Sequence, residues 1–185
     1  MELFVNGYRI RPNARLEGVD ELAGENLAGV DLSGASLSRA VLHRTNFAGA
    51  NLSKAGLAQA NLKSADLSGA NLRFADLSGA DLTGANLRGA NLEDARMSHA
   101  NLTNANLSGA RLNAAQCAHV QFSGASLSGA SLFRTVATEA NFSNADLGDA
   151  DLARGVFIGA NFVGTTLQVW RWPDAEFLNA HLPES

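Results

Sequence analysis

From Leu22 to Leu182 a large apolar residue recurs at every fifth position, 33 times without a break in register. Twenty-three of these positions are Leu and six are Phe; the exceptions are Met97, Cys117, Ala137 and Trp172. Two residues before each lies a second column, running from Asp20 to Ala180, in which 24 of 33 residues are Ala. The unit reads A-[N/D]-L-x-x, as in ANLKS, ADLSG and ANLRG. A period of five matches neither the 3.6 of a helix nor the 2 of a strand. A small and a large apolar residue set two apart can both point inward, the small one letting the backbone turn closely. The three other residues then face outward. Stacking such turns buries one continuous core and pairs the backbone between coils.

That architecture explains a composition that is odd for an ordinary globular domain. The chain has 185 residues, enough for one domain with a real core. It is 46% hydrophobic but only 6% aromatic, so the core must be built from Leu and Ala. The single cysteine excludes an internal disulfide framework and a Cys-cluster zinc site. With 17% charged residues the chain is not a highly charged disordered one. A net charge of −4 offers no overall basic footprint for direct binding of nucleic acid. No stretch approaches the ~18 apolar residues of a membrane span. The start, MELFVNGYRI, lacks the apolar run of a signal peptide. The expectation is a cytoplasmic protein that does not enter a membrane.

The repeat resembles that of the pentapeptide-repeat proteins over about 160 residues. The resemblance implies an all-β fold, a right-handed quadrilateral parallel β-helix with four pentapeptides per coil. It implies about eight coils and, with paired strands ~4.8 Å apart, a rod ~40 Å long. The Leu column would form the inner ladder and the Ala column the tight corners.

Both ends depart from the repeat. In residues 1–13, Asn6-Gly7 sits between apolar residues, a strong hairpin signal, and this segment is expected to cap the solenoid. The β-helix is expected over 14–169. Leu16 and Leu22 are six apart, so one extra residue in Val19–Glu21 predicts a bulge in the first coil. Residues 170–185 are expected to form an irregular last coil, with Trp170 and Trp172 closing the core. A short helix starting at Pro173 is the competing reading.

The chain shows no phosphate loop, HExxH motif or nucleophile elbow, so neither catalysis nor a cofactor is expected. Residues twenty apart should be neighbours on one face. The face centred on Leu37, Leu57, Leu77, Met97, Cys117, Ala137, Phe157 and Phe177 differs from the others. The residue before its central column is Asn or Asp only at Asp76. Either the backbone relaxes there or this side has a role. Val136, Val156, Ile158 and Leu178 take nominally outward positions on it, with Val163 around the corner. Such a patch reads as an interface candidate, including for a homodimer through the C-terminal coils. His99, His119 and Glu139 form a ladder on the same face and are the one candidate metal set; a solvated polar column is the simpler reading. The face centred on Leu32 to Trp172 mixes charges and carries Phe74, Phe133, Arg111, Arg134 and Arg154. These residues could anchor a partner, or could pair among themselves.

The expected function is a non-enzymatic scaffold that binds a protein partner through its lateral faces. The alternative comes from the resemblance: some family members bind DNA gyrase as DNA mimics and protect it from quinolones. This chain lacks a loop insertion between Leu22 and Leu182, and its acidic residues are modest in number.

Overall fold

The structure is a computed structural model and describes residues 3–166 and 172–183. Each pentapeptide makes one side of a coil. The residue before the central Leu pairs with the next coil, and the two residues after it turn the corner. The turn is closed by a backbone bond from the residue three ahead to the central carbonyl, as in Ala35 N→Leu32 O, 3.0 Å. Its second central residue has positive φ at every described turn from Gly24 to Asn179, as a type II turn requires.

Four such sides make a coil of twenty residues. Parallel bridges join Asn26 to Asn46, Asp31 to Asn51, Ser36 to Gly56 and so on, each at an offset of twenty, up to Asn161 and His181. The result is a right-handed quadrilateral β-helix. Its sides are numbered here by their central residue in one coil: face 1 at Leu62, face 2 at Leu67, face 3 at Leu72 and face 4 at Leu77. Face 4 is the variable face and face 3 the charge-rich one.

The two apolar columns build the core. Central residues from Leu22 to Phe162 are buried, and so are nearly all Ala corners. Three corners carry Thr instead, and each hydroxyl finds a carbonyl. Thr45 Oγ1 donates to Leu22 O and Thr135 Oγ1 to Leu112 O, both at 2.7 Å, and Thr165 Oγ1 donates to Phe162 O at 2.9 Å. Toward the C-terminus the core becomes aromatic. The rings of Phe122, Phe142 and Phe162 stack at 4.8 Å steps on face 1, and Phe157 stacks on Phe177 at 5.3 Å on face 4.

Asn and Asp precede the central residue for a local reason. Their side-chain oxygen accepts the amide two residues on, as in Ser33 N→Asp31 Oδ1 at 2.9 Å. An Asn also donates to the coil before it: Asn51 Nδ2→Asp31 Oδ1 at 3.1 Å, then Asn71 Nδ2→Asn51 Oδ1 at 3.2 Å.

At the N-terminus, β1 (Leu3–Val5) and β2 (Tyr8–Ile10) pair antiparallel around Asn6-Gly7, whose φ values are 50° and 84°. Ile10 is buried, and Val5 and Tyr8 pack on the core. Arg15 bridges Ser36, an offset of 21, while Gly24 N already bonds His43 O in the regular frame. The bulge therefore lies between them, with Val19 buried at the corner and its carbonyl accepting from Val41 N at 2.7 Å. Tyr8 OH donates to Glu21 Oε2 at 2.7 Å, and Asn6 Nδ2 donates to Glu21 O at 2.6 Å, so the hairpin is tied to the bulge.

At the other end residues 172–183 keep the repeat frame. Among the described residues, Glu176 bridges Val156 and His181 bridges Asn161 in the unchanged frame. Pro173 and Asp174 form a turn rather than opening a helix. Backbone pairing to the coil below holds this register: Phe157 N→Glu176 O and Phe162 N→His181 O are both 2.7 Å. Trp172 is half-buried and lies 5.0 Å from Phe177. The expectation for Trp170 falls outside the described residues. Among those described, no helix is long and apolar enough to cross a membrane.

Candidate interaction surface

The backbone of face 4 is not relaxed. Leu57 N→Asp76 O, Leu77 N→Arg96 O, Met97 N→Gln116 O and Ala137 N→Val156 O span only 2.7–2.8 Å. What changes is the outer layer. Its pairing column reads Ser36, Gly56, Asp76, Arg96, Gln116, Val136, Val156, Glu176, so the Asn ladder of the other sides is missing. Asp76 alone keeps the local bond, accepting Ser78 N at 3.0 Å. Partial burial works to raise the Asp76 carboxyl. The Ser78 hydroxyl and amide, with Arg96 3.7 Å away, outweigh it and hold the carboxyl below its usual range.

The turn columns that border face 4 also stand apart. At positive φ, face 2 places Gly29, Gly49, Gly69, Gly89, Gly109 and Gly129 in succession. The corner between faces 3 and 4 carries Gly34 and then Lys54, Phe74, Asp94, Ala114, Arg134, Arg154 and Asp174. The corner between faces 4 and 1 carries Arg39, Gln59, Gly79, His99, His119, Glu139, Gly159 and Asn179. A side chain in this region costs about 1 kcal/mol or more relative to Gly. Face 4 thus lies between two corners where most of the residues at positive φ carry side chains. Near the N-terminus it opens into a depression lined by Glu17, Gly18, Ser38, Arg39, Ala58 and Gln59.

The ladder of His99, His119 and Glu139 stands at one of those corners. The imidazoles stack in parallel, centroids 4.7 Å apart and 4° between planes, and His119 Nδ1 lies 3.4 Å from Glu139 Oε2. Parallel rings point their nitrogens along separate planes, and among the described residues no group of three or more ligating side chains could hold a metal ion. Cys117 Sγ lies 3.9 Å from Met97 Sδ in the core, and burial pushes its thiol up to about 12.

The apolar candidates are only partly exposed. Val136, Val156 and Ile158 are half-buried, because each is flanked by the coils above and below; Val163 and Leu178 are exposed, at 54% and 66%. On face 3, Arg111 Nε reaches Glu93 Oε1 at 3.4 Å, and Arg73 reaches Glu93 and Asp94 at 3.7 and 3.5 Å. Arg154 pairs with Asp174 at 3.5 Å. The Arg73 guanidinium covers Phe74 at 4.7 Å, and those of Arg134 and Arg154 lie 5.2 and 5.9 Å from the Phe133 ring. Arg73, Arg111 and Arg154 of face 3 therefore have carboxylate partners on their own face. Sequence reasoning marked the face 4 residues but missed its strained borders, whose signal was the unbroken Gly column across the rod.

The family model for pentapeptide repeats matches five overlapping segments that together run from 26 to 168. HetL, a pentapeptide repeat protein involved in heterocyst differentiation regulation from the cyanobacterium Nostoc sp. strain PCC 7120, is 28% identical. That match covers 92% of this chain and 87% of HetL with a TM-score of 0.46. QnrB1, a plasmid-mediated fluoroquinolone resistance protein, is 19% identical over 91% of each chain with a TM-score of 0.67, a likeness of fold. A pentapeptide repeat protein of the Arabidopsis thaliana thylakoid lumen is 32% identical, covering 71% of this chain and 70% of its own, with a TM-score of 0.23. A search of curated protein sequences finds no significant match. With 33 units in one frame and a matching family model over most of its length, the chain belongs to the pentapeptide-repeat family.

Proposed function

We propose that the protein is a non-enzymatic scaffold that binds a protein partner along face 4. One observation carries the reading. Face 4 lacks the Asn ladder that the other sides use for their own stability, and at both its corners most of the residues at positive φ carry side chains where face 2 uses Gly. Side chains kept at such a cost are characteristic of surfaces that work. The buried Cys117, with no disulfide to make, fits a cytoplasmic setting. The test is a photo-cross-linking residue placed at Gln116 on face 4 or at Ser128 on face 2, in cells of the native host. A partner captured only from Gln116 is expected, and its capture falls when Arg96 is replaced by Glu. Equal capture from both faces overturns the reading.

A homodimer through the C-terminal coils is a second reading, favoured by the exposure of Leu178 and Val163. Sedimentation across a wide concentration range tests it, with Leu178→Asp as the dissociating variant. DNA mimicry of the kind that binds DNA gyrase is the weaker alternative, because a mimic needs continuous negative potential. Between Asp31 and Asp66 this chain has four Arg or Lys residues and no Asp or Glu.

A further inference from the structure

That acid-free stretch is concentrated in space as well as in sequence. Arg39 stands at the corner between faces 4 and 1, where its Nε donates to Gln59 Oε1 at 3.0 Å. One step around the corner, His43, Arg44, Asn61, Lys63 and Ser64 line a single depression on face 1. Gln59 lines the face 4 depression and Asn61 this one, so the two lie on either side of the corner at Ala60. Carboxylates flank this corner in the adjoining coils. Asp81 Oδ2 sits 3.1 Å from Lys63 Nζ, and Glu17, at the far end of the face 4 depression, is held below its usual range first by the Ser36 hydroxyl. Among the described residues Arg44 has no ion pair, and Lys63 keeps a side chain 55% exposed.

We propose that this corner, at Arg39, Arg44 and Lys63, receives an acidic segment of a protein partner. The inference rests on the reading that a partner lies along face 4, and it names the chemistry of the partner there. An extended segment on face 4 that turns the corner at Ala60 would bring its carboxylates to Arg44 and Lys63. Nucleic acid would need a longer row of one sign, which ends at Asp66 and Asp81. A second copy of this chain would bring the carboxylates of its own C-terminal coils, and the test reads that case as self-association.

The test titrates isotope-labelled full chain with hexaglutamate, and with hexalysine as control, at low ionic strength. Saturable amide shifts at Arg39, Arg44 and Lys63 are expected with hexaglutamate alone, and they weaken as salt shortens the Debye length. The double variant Arg44→Glu with Lys63→Glu is expected to weaken binding about tenfold or more; Arg44→Gln with Lys63→Gln replaces it if the reversal impairs folding. Equal shifts at Arg111, Arg134 and Arg154, or unchanged affinity of the double variant, overturn the proposal. So does self-association that the double variant abolishes. If a partner cross-links to face 4 and binds the double variant as tightly as the parent, the acidic segment falls while the scaffold reading stands. If hexaglutamate binds as expected but no partner cross-links to face 4, the scaffold reading falls instead.

Discussion

The ring of Phe157 occupies the place where a Cβ on Gly155 would stand. That Cβ would collide with Phe157 Cε2 and come within 2.7 Å of Cζ and 3.1 Å of the Leu152 carbonyl oxygen. Gly155 does not have positive φ, so it is here for space and not for a turn. In a column otherwise made mostly of Ala, the larger ring required the smaller neighbour. Gly155→Ala is therefore expected to destabilise by about 1–3 kcal/mol in denaturant unfolding. Adding Phe157→Leu should recover much of that loss, a coupling that a double-mutant cycle reads directly. Additive effects would show that the two positions are independent.

The bond from Thr135 Oγ1 to Leu112 O is buried and joins two coils. Thr135→Val keeps the shape and removes the donor, and should cost about 1 kcal/mol. Leu112 O is not orphaned, since Ala115 N still donates to it at 3.0 Å, so a much larger loss would count against this account.

Glu21 titrates low, at about 2, first because Tyr8 OH donates to its carboxylate and then through Asp20 and backbone bonds. A carboxyl depressed in the folded state stabilises it above the unfolded value and ceases to as pH falls through the folded one. Tyr8→Phe removes the leading cause. The stability gap between parent and variant is expected to be complete at neutral pH and to close between about 4.5 and 2, as measured by thermal melts across that range. A gap that widens on acidification would contradict the tie.

The Cys117 thiol is fully buried and pushed up to about 12, which leaves almost no thiolate at neutral pH. Ellman's reagent should leave the native protein unlabelled and react with one thiol in denaturant. Rapid labelling of the folded chain would show that the coils open at Cys117.

The acid-free belt from Leu32 to Ala65 predicts that the protein does not inhibit supercoiling by DNA gyrase. Inhibition at stoichiometric amounts in a supercoiling assay would restore the DNA-mimic reading and displace the scaffold one.

The five-residue period by itself called for a chain that turns once per repeat: Ala and Leu two apart share the inward side of a short extended segment, and the two residues after the Leu turn the corner. It also placed the bulge, since Leu16 and Leu22 cannot share a frame without one extra residue, and the hairpin, since Asn6-Gly7 suits positive φ at both turn positions. The frame ran to Leu182 in the sequence, and although Trp172 and Pro173 read as an irregular last coil, the coil below held Glu176 and His181 in register. Only the tertiary structure decided what each outward residue does. A side chain's neighbours are twenty residues away, and their contacts depend on rotamers and on the stacking of coils. Thus His99 stacks on His119 instead of converging on a metal, Glu93 joins Arg73 to Arg111, and Val136 and Val156 are half covered by the coils around them. Local sequence specified the repeating backbone, and long-range packing specified its surface.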